Sequence, residues 1–247
     1  MKSSESASNP AEFTFGTTHW SVVLAAGQGD SPLAEVALDR LCRAYWYPVF
    51  GFIRHHGHPA EEARDLTQEF FARLLIRGGI GKADPSRGRF RAFLLTSIRN
   101  FLSDAWDWQR AKKRGGGLRT ISLEELGCWE DWMVDSDATA SPEQVFDQAW
   151  AGSVLRNTCS HLRDEYAAAG RTDRFEALEP YLPGGNAEEA GRGLGQRLGL
   201  TEAALRSEVH RLRRRFRALL RREVAHTVAT PEEIDGEIRY LMQVVAG

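Results

Sequence analysis

The sequence predicts an all-α protein with two small helical domains joined by an acidic linker, the second domain containing a helix-turn-helix. Apolar residues recur at helical spacing along most of the chain, whereas the period-2 alternation typical of strands is scarce. Glycine and proline interrupt these helical runs. With 247 residues, 42% of them hydrophobic, the chain is long enough to form two small cores.

We expect a disordered N-terminus at 1–12, a first helical domain at 13–117 and an acidic linker at 118–150. A helix-turn-helix domain at 151–227 and a C-terminal helical extension at 228–247 follow. The N-terminus lacks the apolar core of a signal peptide, and no apolar run approaches the roughly 20 residues of a membrane span. The three cysteines form no CxxC pair. These features predict a cytoplasmic protein without membrane insertion.

The first long helix should begin at Ser31 and Pro32, which suit the N-cap and the first helical position. Pro48 should kink or break this helix near Tyr47, because proline removes a backbone hydrogen bond. The next helix should run from about residue 60 to 76. Its apolar face should contain Leu66, Phe70, Phe71, Leu74 and Leu75.

A long basic helix should extend from about Arg89 to Lys113, before a run of three glycines. In the second domain we expect helices at 156–182, 187–198 and 201–225. A Gly199-Leu200 turn separates the last two, and Thr201 supplies the N-cap, which is the sequence form of a helix-turn-helix. Gly193 should weaken the second of these helices by about 1 kcal/mol relative to alanine.

The C-terminal extension should form one more helix. Thr230 suits the N-cap and Pro231 the first helical position, and Glu233 completes a capping box. Its apolar stripe should contain Ile234, Ile238, Leu241 and Val245. Because so short a helix is marginal alone in water, it should pack on another surface. That surface is the second domain, the basic face of its helix-turn-helix, or a separate protein.

The charges are segregated, although the formal net charge is only −2. Residues 85–119 hold nine Arg or Lys against two Asp, and residues 192–222 hold ten Arg against two Glu. Between them, residues 120–155 hold eight acids and no Lys or Arg. Two basic blocks around an acidic segment indicate two contacts with a polyanion, while solvated surface charge is the simpler alternative.

The first basic block places an aromatic ring among cations. One helical stripe contains Arg99, Ser103, Trp106, Arg110 and Lys113, at steps of four, three, four and three. Such a stripe suits phosphate neutralisation and stacking on an unpaired base. Alternatively, Trp106 is partly buried and the arginines are only solvated.

The second basic block lies on the second arm of the helix-turn-helix. The N-terminal half, where such helices face the major groove, contains Arg206, Ser207, His210 and Arg211. Side chains that suit phosphates continue with Arg213, Arg214, Arg215 and Arg217. Glu208 departs from this pattern, because it would repel phosphate or accept from a cytosine amine. A basic helix that binds nothing and a short coiled coil are the alternatives.

Motifs occur in order along both predicted domains. Those of the first domain are ARDLTQEFFARL at 63–74, GRFRAFLL at 88–95 and IRNFLSD at 98–104. Those of the second domain are LGLTEAALRS at 198–207 and HRLRRRF at 210–216. Together they resemble the extracytoplasmic-function class of sigma-70 family RNA polymerase sigma factors. HWSVV at 19–23 and KRGGG at 113–117 resemble a longer branch of that class.

The resemblance implies a sigma factor that binds core RNA polymerase and directs promoter-specific initiation, rather than an enzyme, and implies no cofactor. Core polymerase would bind Asp65, Gln68, Glu69 and Arg73. The −10 element would contact Arg87, Arg89, Phe90, Arg91, Arg99, Asn100, Ser103, Trp106, Arg110, Lys112 and Lys113, with a flipped base held by the loop 81–90. The −35 element would contact Arg206, Ser207, His210, Arg211, Arg213, Arg214 and Arg215. An anti-sigma factor or other regulator is a further candidate partner, and the acidic linker would thread the positive cleft of polymerase.

Two other classes of protein compete with this interpretation. A stand-alone helix-turn-helix regulator would bind DNA without polymerase, as a dimer on a palindrome. An enzyme would need a catalytic motif, and the chain has no P-loop, GxSxG or GxGxxG pattern. His55, His56 and His58 lack the HExxH spacing and a partner cysteine, so surface histidines explain them better than a metal site does.

Overall fold

The computed structural model describes residues 32–76, 84, 89–109, 140–183, 193–225, 227–228 and 230–246. Within these residues every regular element is a helix, which confirms the all-α prediction. None of the described helices combines the length and the apolar character needed to span a membrane. The predicted disordered N-terminus and most of the predicted acidic linker lie outside the described residues.

Eight α-helices are described. In chain order they are α1 Pro32–His55, α2 Ala60–Ile76, α3 Phe90–Gln109, α4 Pro142–Ala168, α5 Thr172–Leu178, α6 Leu194–Arg197, α7 Glu202–Ala225 and α8 Ile234–Ala246. Two 3₁₀ helices, Glu179–Tyr181 and Pro231–Glu233, precede α6 and α8.

Helix α1 continues through Pro48 as far as His55, so the predicted break near Tyr47 is wrong. Tyr45, Val49 and Phe52 are buried on both sides of the proline. Burial of these large side chains favours a continuous helix and outweighs the hydrogen bond that proline removes.

Helices α2 and α3 pack through aromatic side chains. The predicted apolar face of α2 is confirmed at Leu66, Phe70, Phe71 and Leu74, which are buried; the side chain of Leu75 lies outside the described part of the chain. The ring centroids of Phe70 and Phe101 lie 5.6 Å apart in an edge-to-face arrangement, which is a favourable geometry for aromatic pairs. This contact fixes α2 against α3.

Helix α4 begins at Pro142, 14 residues before the predicted start at 156. Ser141 and Gln144 form a capping box: the serine Oγ accepts from the Gln144 N–H, and the Gln144 side chain accepts from the Ser141 N–H. Helix α4 packs against α1, α7 and α8. The apolar core is therefore continuous between the two predicted domains.

The link between α6 and α7 contains the predicted glycine and the predicted threonine cap. Helix α6, however, has only four residues within the described part of the chain. Gly193 precedes α6 with φ of +81°, so the predicted cost of a glycine inside the helix does not apply. At Gly195 a Cβ would lie 3.0 Å from the Leu200 carbonyl oxygen, so a larger residue here would require the neighbouring backbone to shift by a few tenths of an ångström. Thr201 caps α7 through its Oγ1, which accepts from the Ala204 N–H at 3.2 Å.

The C-terminal extension begins with the 3₁₀ helix and continues as α8. Thr230 has no side-chain capping hydrogen bond, so the predicted capping box is wrong. Of the predicted apolar stripe, Leu241 is fully buried, whereas Val245 is exposed. Helix α8 packs against both α4 and α7, and it also contributes an acid to the start of α3.

Candidate nucleic-acid and polymerase interface

Helix α2 carries polar side chains on the side opposite its buried anchor. Asp65 is exposed, whereas Gln68 is half-buried. Glu69 accepts a hydrogen bond from Arg73, whose guanidinium lies 5.2 Å from the centre of the Phe101 ring. The apolar anchor and this ion pair hold a mixed acidic and polar surface in a fixed orientation.

The start of α3 contains a buried group of charges. The carboxylate of Glu237 on α8 accepts from Arg91 Nε at 2.9 Å and from Arg89 at 2.8 Å. Arg91 also donates to Asp147 of α4 at 2.8 Å. We call these four residues the ion cluster. Glu237 is fully buried and Arg91 is 9% exposed, so Arg91 lacks the open surroundings expected of a DNA contact. The Arg89 side chain is 34% exposed and is only partly covered.

Aromatic rings enclose the guanidinium of Arg91. It lies 4.1 Å from the centre of the Tyr240 ring and 5.1 Å from that of Trp150. Tyr240 donates a hydrogen bond to the second oxygen of Asp147. Burial opposes the charge of Arg91, but the attraction of Glu237 and Asp147 outweighs it and raises the pKa of the guanidinium above its ordinary value.

The other predicted −10 residues lie in three kinds of surroundings. Phe90 is buried and packs edge-to-face on Tyr45. Asn100 and Ser103 are exposed, and the exposed Arg99 donates to Glu143 of α4 at 2.7 Å. The remaining side chains lie outside the described part of the chain; they are Arg87, Trp106, Arg110, Lys112 and Lys113.

Helix α7 presents several of its predicted DNA contacts to solvent. Arg206, His210 and Arg214 are exposed and lie four residues apart on one face. Ser207 is exposed, and its hydroxyl donates to the Ala203 carbonyl at 3.0 Å. The opposite face contains Leu212, Phe216 and Leu219, which are buried. The helix is therefore anchored on one side and cationic on the other.

Glu208 is neutralised within the protein. It accepts from Arg174 of α5 at 3.1 Å and from Arg211 at 2.6 Å. Partial burial opposes its charge, but the two arginines outweigh that effect and hold the pKa of Glu208 below its ordinary value. Glu208, the one acid within the predicted DNA-contacting face, therefore binds Arg211, which was predicted to contact the −35 element.

Two further arginines of α7 contact neighbouring elements. Arg213 donates to the Tyr181 carbonyl at 2.9 Å. Arg215 donates to both carboxylate oxygens of Glu165 on α4, and this lowers the pKa of that acid. Both contacts orient α7 against the rest of the fold.

The histidines make local contacts. His56 Nδ1 lies 3.1 Å from the Phe52 carbonyl, and His58 Nδ1 lies 3.3 Å from Glu62. No group of three or more His, Cys, Asp or Glu in the described ranges is arranged to hold a metal ion.

Sequence reasoning missed the acids that meet the predicted DNA contacts. Glu143 and Asp147 belong to the acidic segment and pair with arginines of the first basic block. The opposite charges of the two segments could have predicted this pairing. Glu237 had no such signal, because its position beside the stripe of α8 resembles that of a solvated acid.

Within the described residues, a buried apolar core supports an acidic and polar face on α2 and a cationic face on α7. Residues 41–112 match the family described as Sigma-70 region 2, which is under a third of the chain. This match supports a sigma-70 family sigma factor, a non-enzymatic type of protein that takes part in RNA polymerase binding and promoter recognition. No curated protein and no solved structure matches the chain.

Proposed function

We propose that this chain is a sigma factor of the extracytoplasmic-function class that directs initiation through −10 and −35 recognition in the cytoplasm. The observation that carries the proposal is the Sigma-70 region 2 match at 41–112. A capped basic helix, α7, follows the matched segment, in the order that the resemblance predicts. The two-domain division at 13–117 and 151–227 is part of this proposal.

Helix α2 is the polymerase-binding element in this proposal. Asp65 projects from a helix whose orientation is fixed by buried Leu66 and Phe70. By the resemblance, this helix would bind the clamp helices of the largest polymerase subunit. An exposed acid on a rigid helix suits such a contact if the partner surface is basic, because complementary charges orient partners as they meet. Gln68, Glu69 and Arg73 extend the same surface with hydrogen-bonding groups.

Helix α7 is the −35-reading element. Arg206 and His210 lie in the N-terminal half of the helix, which enters the major groove in helix-turn-helix proteins. Arginine matches guanine edges through its fork of donors. Exposed Arg214 lies one turn further along and suits a phosphate.

The −10 contacts belong to α3 and to the residues on either side of it. Asn100 and Ser103 are exposed and lie three residues apart, on one face of the helix. Arg87, Trp106, Arg110, Lys112 and Lys113 are assigned to the same element by the resemblance. Arg89 and Arg91 share this assignment, although α8 contacts both of them in the free chain.

Transcription with purified core polymerase, with and without this chain, tests the proposal. We expect defined start sites only when the chain is present, with shared sequence elements about 10 and 35 base pairs upstream, as the sigma-factor assignment requires. Transcripts that are the same without the chain would contradict the proposal.

Asp65→Arg tests the polymerase surface. We expect core binding to fall about tenfold or more, because like charges brought together at an interface cost several kcal/mol. Asp164→Arg is the matched control, since it makes the same charge change at an exposed position of α4. Affinity for core polymerase, measured by fluorescence anisotropy on folded variants, checks this result. Equal affinity of the two variants would remove α2 from the interface.

A stand-alone helix-turn-helix regulator is the second candidate function, favoured by the exposure of the cationic face of α7 in the free chain. It predicts sequence-specific duplex binding without polymerase and no start sites in the transcription assay. A gel-shift selection from random duplexes without polymerase distinguishes the two.

A further inference from the structure

Packing energy alone does not explain why α8 is held by a buried carboxylate. Burying an ionised carboxylate costs several kcal/mol, even after its surroundings relax. Glu237 is fully buried, and two guanidiniums compensate its charge. An apolar side chain of similar volume often stabilises such a site equally well or better. The acid at this position is therefore explained better by what it binds than by how it packs.

Glu237 occupies the donors that a phosphate group would use. Arg91 donates to both carboxylate oxygens, from Nε to Oε1 at 2.9 Å and from Nη2 to Oε2 at 3.5 Å. The second oxygen also lies 2.8 Å from Nη1 of Arg89. Arginine donors bind carboxylates and phosphates in the same forked geometry. The two anions are therefore alternatives at this site.

Helix α8 depends on the rest of the chain for its folded form. Its 13 residues are about as many as an isolated helix needs to be even marginally stable in water. Its ion pair between Asp235 and Arg221 is exposed and therefore weak. Met242 and Val245 are 41% and 44% exposed. Among the described contacts of α8, the ion cluster is the most deeply buried polar attachment.

We propose that α8 is an intramolecular competitor of DNA, with Glu237 occupying the phosphate site of Arg89 and Arg91 in the free chain. This inference rests on the proposed function, because it takes both arginines as DNA contacts. Arrival of a DNA phosphate displaces Glu237, and α8 leaves the start of α3.

Charge balance explains why the exchange favours DNA once α8 has left. In the closed state two guanidiniums face two carboxylates, so the formal charges of the ion cluster cancel. When Glu237 leaves, Asp147 is the one carboxylate of the ion cluster that remains, paired with Arg91. The site then has one net positive charge, which a phosphate neutralises.

The Glu237→Gln variant of the full chain tests the proposal, with a fluorescent single-stranded DNA oligonucleotide of mixed sequence as the probe. The variant keeps the size of the side chain and removes the charge that holds the arginines. If about nine free molecules in ten are closed, apparent affinity should rise about tenfold when the closed state is lost. Glu232→Gln is the matched control, because it removes the same charge from an exposed position before α8 and should leave affinity at the wild-type value.

Salt dependence tests whether DNA reaches the same arginines when Glu237 is present as when it is replaced. Each phosphate contact on a single strand adds about −0.7 to the slope of log affinity against log salt. Because DNA displaces Glu237 in this proposal, the bound Glu232→Gln and Glu237→Gln variants make the same phosphate contacts, and their slopes should agree to within about 0.7. A slope steeper by about 0.7 or more for Glu237→Gln would show that DNA does not reach Arg89 and Arg91 while Glu237 is present, and would contradict displacement.

Hydrogen exchange of the unmodified chain provides a test that needs no variant. Saturating oligonucleotide should speed amide exchange across Ile234–Ala246, because bound DNA keeps α8 off the ion cluster. Unchanged exchange of α8 in the DNA-bound protein would overturn the proposal, even if the Glu237→Gln variant does not fold.

The outcomes separate this inference from the proposed function. Equal affinities of the wild type and both variants, or no binding by any of them, would overturn competition by α8. The transcription assay with core polymerase judges the sigma-factor assignment independently. Tight binding by the Glu237→Gln variant without polymerase-dependent transcription would support competition and remove that assignment.

Discussion

The arginines at the start of α3 and those along α7 have the same chemistry and opposite surroundings. Arg91 is 9% exposed and contacts carboxylates from two other helices. Arg206 and Arg214 on α7 are exposed. Both segments are basic enough in sequence to predict a contact with DNA. Basic composition therefore identifies the candidates, and the acids that the fold brings to each one decide which are accessible in the free chain.

Replacing the buried Arg91 should lower the free energy of unfolding far more than replacing an exposed arginine of α7. Arg91→Ala leaves Asp147 without its guanidinium and Glu237 with Arg89 alone, and breaking a buried pair costs about 3–5 kcal/mol. Arg214→Ala, at an exposed site, should change the free energy of unfolding by less than about 0.5 kcal/mol. Urea denaturation followed by circular dichroism measures both values. A similar small change in both variants would show that burial of Arg91 does not matter to stability.

Arg206→Ala should weaken promoter binding while leaving the stability of the fold nearly unchanged. We expect the free energy of unfolding to stay within about 0.5 kcal/mol of wild type, because the side chain is exposed. Promoter binding should weaken by about 1–3 kcal/mol if the guanidinium contacts a base edge. Binding of polymerase complexes to promoter duplexes with altered −35 elements measures this loss. Arg163→Ala on α4 removes an equal charge elsewhere, and an equal loss in that variant would indicate a non-specific charge effect.

Glu208→Gln should give the smallest effect. The pKa of Glu208 is lowered in the folded protein, so its ion pairs stabilise the fold above the ordinary glutamate pKa of about 4.3. This contribution is lost as the pH falls through the lower pKa of the folded state. We expect a loss of about 1 kcal/mol or less at neutral pH, and melting temperatures of the wild type and variant that converge in acid. A constant difference at every pH would assign the effect to packing.

Local signals predicted much of the fold. The apolar face of α2 and the Thr201 cap of α7 depend on residues three or four positions apart, so the sequence alone specifies them. The exposed face of α7 followed from the same periodicity. These predictions need no knowledge of distant segments.

The errors have physical reasons of two kinds. Pro48 was expected to end a helix, but burial of its neighbours in the core outweighed a local preference. The predicted start of α4 was too late in the chain. Ser141 and Gln144 form a capping box, and their spacing in the sequence could have identified the true start. At Thr230 the opposite happened, because a capping pattern was present and the capping hydrogen bond did not form.

The ion cluster was beyond sequence reasoning for a different reason. Arg91 and Glu237 are 146 positions apart, and no local pattern relates them. Their contact depends on α4, which packs against both α1 and α8 and also contributes Asp147. Only the tertiary arrangement identifies Glu237 as a buried acid rather than a solvated one.

The separation of Arg91 and Glu237 has a consequence during synthesis on the ribosome. At about 5–20 residues per second, the 146 positions between them take roughly 7–30 s to translate. Throughout that interval Arg89 and Arg91 exist in the growing chain without the carboxylate that later binds them. A nascent chain therefore passes through a stage in which both guanidiniums lack this partner, and that stage lasts until Glu237 has been translated and α8 has packed against the start of α3.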